Sequence, residues 1–433
     1  MMSKRICMFV WNHFTNDARV MRECSALAEA GYEVDLIAIH DFKNPHLPRF
    51  ESRKEGYSVY RVRSSFRFLS VVAGIANRLK RHLRQYPILI TIPLGLALAG
   101  LFFIPLWTCS AMIACALVLP RKSRGFINKS LIFLQMVRLG LKKKYDLYHS
   151  NDLNTLPQGY LCSRIWRKSK LVYDSHEVQT SRTGYNSPIY GMAERFLVKR
   201  VDVMIAENHT RAKYTEQLYG IYPNVVHNYP EISRPEESSQ VNLHELLEIP
   251  LHEPILLYQG GIQIGRGLDK IIEAVPLFDR GVVVMIGDGK IKPELVAMVR
   301  ERGLEQKVRF LPKVPVEDLL HYTRNAYLGF QVLNNICFNH YSASSNKLFE
   351  YMMSGVPVVA CSFPEIQRVV EGEQIGVCVD SHSPESIAGG VNRLLGDVQL
   401  YKSGKENSLK SRQKFNWKSE KESFIKIYKE VII

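Results

Sequence analysis

The sequence predicts an α/β protein with two doubly wound parallel domains facing a cleft and a membrane-inserted helical hairpin in the first domain. Three observations predict it. Apolar strand-like runs alternate with helical patterns from end to end, the pattern of stacked βαβ units. At 433 residues the chain is too long for one core, and its apolar content of 46% with 23% charged residues is that of an ordinary folded protein. The alternation is broken once, by the uncharged run from Pro87 to Pro120.

In the first half, Ile6–Val10 reads as a short apolar strand, 17–30 as a helix ended by Gly31, Glu33–Ile39 as a second strand and 57–62 as a third. Strands follow at 146–149, 170–173 and 201–206, each before a helical pattern. The first domain is therefore expected over 1–232. The stretch 233–252, with its prolines, paired serines and carboxylates, reads as a linker with a short helix. A second series occupies 253–405: strands at 255–258, 282–286, 308–311, 328–332, 356–360 and 376–379, with helices at 267–275, 292–302, 316–324 and 346–354 between them. The tail 406–433 ends in a basic amphipathic helix from Asn416 to Ile433.

Charge is informative once located. From Gly56 to Tyr145 there is no Asp or Glu but fifteen Lys and Arg, which equals the whole net charge of +15. Elsewhere 42 basic residues balance 42 acidic ones, so general nucleic-acid binding is not indicated. A basic window around an apolar run points to anionic membrane lipids. The 34 residues of 87–120 would make a helix of roughly 50 Å, too long for one crossing of a hydrocarbon core of about 30 Å and too short for two. Pro105 divides the run, and basic flanks place both ends on the cytoplasmic side. A re-entrant hairpin at the cytoplasmic face of the inner or plasma membrane is expected, within a membrane-associating insertion at 63–144. Ile127, Leu131, Leu134 and Leu141 repeat at helical spacing beside Lys129, Arg138 and Lys142, as an interfacial helix does. Eight scattered cysteines without a Cys-x-x-Cys fit a reducing compartment and exclude the usual zinc spacings.

Chemistry concentrates between Asn346 and Ala360, Asn-Lys-Leu-Phe-Glu-Tyr-Met-Met-Ser-Gly-Val-Pro-Val-Val-Ala. Lys347 and Glu350, three apart, share one helix face, while Leu348, Tyr351 and Met352 turn toward a core. Alone, such a pair is also what a surface ion pair looks like. Upstream, Gln259-Gly-Gly-Ile-Gln-Ile-Gly-Arg-Gly267 places Gly260, Gly261 and Arg266 between a strand and a helix, where backbone can approach a phosphate. Met285-Ile-Gly-Asp-Gly289 follows, bringing Asp288. His176, in Tyr173-Asp-Ser-His-Glu177, ends a first-half strand; His149 and Asp152 end another. Asn16, Asp17 and Arg19 follow the first strand, where a helix cap explains part of their polarity. There is no Asp-x-Asp and no acidic cluster, so no metal is expected.

This order of features resembles the GT-B glycosyltransferases, in particular the retaining family 4 (glycosyl transferases group 1). The resemblance implies that Glu350 holds the nucleotide ribose and that Gly260, Gly261, Arg266, Asp288, Ser342, Asn346 and Lys347 line the donor. It implies that His176, Arg266 and Lys347 assist transfer, and that Asn16, Asp17, Arg19, His149 and Asp152 lie on the acceptor side. The donor would be a nucleotide-diphosphate sugar and the acceptor a lipid-linked or cell-envelope glycan, with no cofactor. The tail helix would cross back to the first domain. Two departures stand out: Ser342 replaces the first carboxylate of the family's Glu-x7-Glu pair, and Ser345 stands where many relatives have Pro. Ser342 keeps open a non-catalytic nucleotide-sugar-binding partner, and the shared fold keeps open a nucleotide-sugar 2-epimerase, against which the basic hairpin counts.

Overall fold

The computed structural model describes residues 3–66, 71–74, 77–78, 81–82, 85–86, 103–104, 107, 120–181, 188–232, 241–316 and 318–432. The expected hairpin at 87–120 lies almost wholly outside the described residues. Among the described residues, no helix is long and apolar enough to cross a membrane.

The chain divides into two compact units, 1–173 with 200–202 and 432, and 174–199 with 203–431 and 433. Fourteen described strands form two sheets. Those of the first are β1 (Arg5–Phe9), β2 (Glu33–Ile39), β3 (Phe50–Ser52), β4 (Ser58–Val62), β5 (Leu147–Asn151), β6 (Lys170–Ser175), β7 (Val203–Ala206) and β8 (Asn224–Val225). Their order is β3-β4-β2-β1-β5-β6-β7-β8. β1 pairs in parallel with β2 and β5, while β3 is an antiparallel edge on β4.

The second sheet contains β9 (Ile255–Gln259), β10 (Val282–Ile286), β11 (Val308–Leu311), β12 (Leu328–Gln331), β13 (Val358–Cys361) and β14 (Gly376–Val379). All five pairings are parallel, in the order β11-β10-β9-β12-β13-β14. β9 buries Leu256 and Tyr258 in one core and Ile255 and Leu257 in another, because helices cover both faces. The winding direction reverses between β9 and β12. In such a sheet the crevice beyond the carboxyl ends of these two strands is where a ligand fits.

Sequence and structure agree on twelve strands to within a few residues, β3 and β8 being unexpected, and differ in three helical places. The helix expected over 316–324 is confined to Leu319–Thr323, and the stretch 338–345 contains a helix, Phe338–Tyr341. After the helix Leu156–Tyr160 the chain continues as a π-helix, Leu161–Arg167. The helix Arg121–Gly140 packs on the sheet through a face other than the one read as interfacial, which is left at least partly exposed. Ile132, Met136, Val137 and Gly140 are buried, whereas Leu134 stays exposed. Gly140 explains the choice, since a Cβ there would lie 2.7 Å from the Phe9 ring, so its lack of a side chain lets the helix settle on β1. In the tail, the helix Trp417–Ile432 is anchored where Pro230 accepts from the Trp417 amide and Glu420 accepts from the His227 amide.

Tyr351 locks the helix Asn346–Met353 onto the second sheet. It is fully buried, and its hydroxyl reaches the carbonyls of Leu257 at 3.0 Å and Phe330 at 3.4 Å. A Cβ on Gly329 would sit 2.6 Å from the Tyr351 ring. Gly329→Ala is expected to cost about 1–3 kcal/mol through overpacking, read as a lower urea midpoint with unchanged slope. A midpoint equal to wild type would show that this contact has slack.

Candidate functional site

The site is assembled at the switch point of the second sheet. Beyond β9 the chain turns through Gly260, Gly265 and Gly267, all at positive φ. The segment after β10 lies flush against it. A Cβ on Gly287 would stand 1.9 Å from the Gly260 carbonyl oxygen, and one on Gly289 1.8 Å from that of Ile262. Gly260 N–H donates to Ile286 at 2.9 Å and Ile262 N–H to Asp288 at 3.0 Å. The Gly260 amide is thus committed to the neighbouring turn, which corrects the expectation that it faces a phosphate. Asp288 is likewise engaged, accepting from Lys292 and from the Lys313 amide at 2.9 Å each, contacts that lower its pKa.

The helix Asn346–Met353 begins beside these turns. Its N-cap, Ser345, makes no side-chain cap bond and donates instead to Gln331 at the end of β12, at 2.9 Å. The first-turn amides therefore lack a side-chain cap, and the helix dipole adds positive potential at this end. Asn346 is exposed and accepts from Asn228 at 3.2 Å. Lys347 is buried, with Nζ 4.9 Å from the Tyr258 ring centre. Burial, and then the nearby Arg266 charge, push its pKa down to about 7, while Glu350 opposes them. Glu350 accepts a 2.7 Å hydrogen bond from Gln259 Nε2. A half-buried guanidinium, a lysine poised near neutrality and a fixed carboxylate thus surround the ends of β9 and β12. That combination suits a ligand carrying anionic groups beside hydroxyls.

The remaining candidates divide by function. His176 Nε2 is 3.4 Å from Asp174, and its carbonyl accepts from Arg211. Ser342 is fully buried: its hydroxyl accepts from Arg211 Nε at 3.2 Å and its carbonyl from Asn208 at 2.8 Å. Arg211 thus orients the Ser342 side chain through an oxygen lone pair, and the hydroxyl keeps its own proton to donate. In the first unit, Asn16 is exposed. Asp17 caps the helix Ala18–Glu29 through the Val20 amide. Arg19 is buried 3.0 Å from Glu23, and His149 is fully buried 3.2 Å from Asn151. Asp152 holds a positive φ of 63°. Asp17, Arg19 and His149 thus each have a partner within the first unit.

Comparison with known proteins accords with this geometry. Residues 240–411 match the family described as Glycosyl transferases group 1. The D-inositol 3-phosphate glycosyltransferase of Corynebacterium glutamicum is 24% identical over 337 residues, covering 72% of this chain and 78% of that protein. The chain is a glycosyltransferase.

Solved structures match over nearly its whole length. Anabaena HepE in complex with UDP and glucose has a TM-score of 0.70 at 15% identity, covering 99% of this chain and 100% of that one. Sucrose-phosphate synthase from Thermosynechococcus elongatus has a TM-score of 0.68 at 16% identity, covering 99% and 98%. The glycosyltransferase therefore has a two-domain GT-B-like fold. Its matched region contains Arg266, Lys347 and Glu350. It also contains residues that sequence reasoning passed over: Gln259, whose signal was a polar side chain closing a buried strand, and His340. Burial and the Arg266 charge lower the His340 pKa.

The lysine side chain supplies a direct check. In protein labelled with 13C-lysine, the Lys347 Cε signal, assigned by its loss in Lys347→Met, is expected to titrate near pH 7. Arg266→Gln should raise that midpoint, because it removes a repelling charge. A midpoint near 10 in wild type would contradict the description.

Proposed function

We propose that this glycosyltransferase is a membrane-associated, retaining, metal-independent enzyme of family 4. It takes a sugar from a nucleotide-diphosphate sugar and passes it to a lipid-linked or cell-envelope glycan acceptor at the cytoplasmic leaflet. The observation that carries the donor reading is Glu350 held by Gln259 on one helix face with Lys347, beside Arg266. Glu350 accepts from the ribose hydroxyls, and the two cations meet the diphosphate. As the glycosidic bond breaks, negative charge builds on the departing diphosphate. Fixed cations and a helix N-terminus stabilise that charge without solvent reorganisation. This is the ground for metal independence: the charge a divalent ion would supply comes from side chains. The complexes of Anabaena HepE with UDP and with UDP-glucose support the donor class. The structural likeness to WaaG, a glycosyltransferase involved in lipopolysaccharide biosynthesis, at a TM-score of 0.61 and 13% identity, accords with the envelope reading through the shared fold. Family 4 resemblance supports retention, and the basic, apolar insertion at 63–144 supports the membrane.

Membranes of the native host incubated with radiolabelled UDP-, GDP- and ADP-sugars are expected to yield a labelled, extractable product with one donor, unaffected by EDTA. Glu350→Ala and Arg266→Ala should each weaken binding of that donor by about 1.5–3 kcal/mol, the weight of a hydrogen bond to a charged group. Unchanged affinity in both would remove the assignment. Deleting 87–120 should shift the protein to the soluble fraction while donor binding persists.

Lys347 adds a pH signature. A nucleotide-sugar diphosphate keeps constant charge above pH 6, so the protein's own titration is visible. Below about pH 7 Lys347 is already charged. Above it, donor binding must take up a proton, and affinity should fall by up to about tenfold per pH unit. Calorimetry in buffers of different ionisation enthalpy should show that uptake at pH 8, and Lys347→Met should abolish it.

A further inference from the structure

Behind the site, Gln259 and Thr323 are both fully buried. Thr323 Oγ1 lies 2.7 Å from Gln259 Oε1, and Gln259 Nε2 lies 2.7 Å from Glu350 Oε2. The Thr323 oxygen also lies 2.8 Å from the Leu319 carbonyl. A hydroxyl has one proton, so it donates to one of these two acceptors at a time. The choice is coupled to Glu350. If the carboxylate is ionised, the amide must turn its NH2 toward it, and its own oxygen then faces Thr323. Two lone-pair oxygens would meet there unless the Thr323 proton lies between them. If Glu350 were protonated, the amide could reverse, donate to Thr323 and release the hydroxyl proton to Leu319. The chain Thr323–Gln259–Glu350 therefore has two self-consistent settings, and bonds within each reinforce one another in a buried environment.

We infer that Thr323 and Gln259 are positioning residues of the donor site, setting Glu350 as an ionised, oriented acceptor for the vicinal hydroxyls of the donor ribose. The inference rests on the ribose reading of Glu350 given above. Neither residue touches the ligand. Each acts through the carboxylate, so its removal should affect recognition of the hydroxyls and leave recognition of the diphosphate in place. The relay also ties the strand that launches the glycine turn to the helix that carries the carboxylate.

The test is titration calorimetry with UDP, GDP and ADP, continuing with whichever wild type binds most tightly and with its 2′,3′-dideoxy form. Wild type should prefer the ribose form. Thr323→Val and Gln259→Met should each lose roughly tenfold of that preference while binding the dideoxy form as wild type does. Thr323→Ser, which keeps the hydroxyl, should restore the preference. Should Thr323→Val fail to fold, Gln259→Met carries the same comparison. Wild-type preference in Thr323→Val and Gln259→Met, or an equal loss for both ligands, overturns the inference. Glu350→Ala separates the two claims. If it loses the preference while Thr323→Val keeps it, only the relay falls. If Glu350→Ala keeps the preference, the ribose reading falls and the relay with it.

Discussion

The site depends on a helix that can point its polar groups in only one direction. Six of the eight residues of Asn346–Met353 are buried, and Tyr351 is bonded to the carbonyls of two strands. Rotating the helix by one residue would bury Glu350 in an apolar core and expose Leu348, at a cost of several kcal/mol. The same packing places Lys347 beneath the glycine turn, where its charge is poorly solvated. A lysine in that position gains most from an anionic ligand, because the ligand supplies the counter-charge that burial removed. Core packing and ligand affinity are in this sense one arrangement.

The glycines do more in this arrangement than leave room for a phosphate. Gly287 and Gly289 allow two strand-end turns to touch backbone to backbone, and hydrogen bonds from Gly260 and Ile262 continue the β9–β10 pairing past the sheet. The resulting double turn is stiff. It carries Arg266 beside His340 and Lys347, so three groups that can bear positive charge lie together, and two of them respond with lowered pKa values. Stiffness is what makes such crowding possible, since a mobile turn would relax the charges apart.

The fold was legible where burial is two-sided. Strands such as Val282–Ile286 and Val358–Cys361 read directly as apolar runs, and Gly355 marked the end of the motif helix. Lys347 and Glu350 were legible from their spacing and from the buried residues between them. Legibility failed where partners are distant in the chain. Ser342 read only as a hydroxyl near the motif, but Arg211, 131 positions earlier, donates to it. Arg211 reads locally only as the partner of Glu207 four residues earlier, because its bonds to Ser342, Asn339 and His176 are all tertiary. In the helix Arg121–Gly140 the face that packs on the sheet was set by Gly140 against Phe9, a contact that no periodicity marks.

The distribution of charge along the chain suits the two tasks proposed for it, which need opposite solvents. All the excess positive charge lies between Gly56 and Tyr145, whereas the matched glycosyltransferase region lies at 240–411. A donor pocket works with a few cations that are buried and therefore little screened by salt. Surface attraction to an anionic bilayer works with many exposed ones, each worth about 1 kcal/mol near the surface and weakened by salt. Merging them would surround Lys347 with further repelling cations and depress its pKa still more, leaving it neutral when a diphosphate arrives. On the proposed membrane reading, the large basic charge sits outside the segments of the chain that carry Lys347 and Arg266.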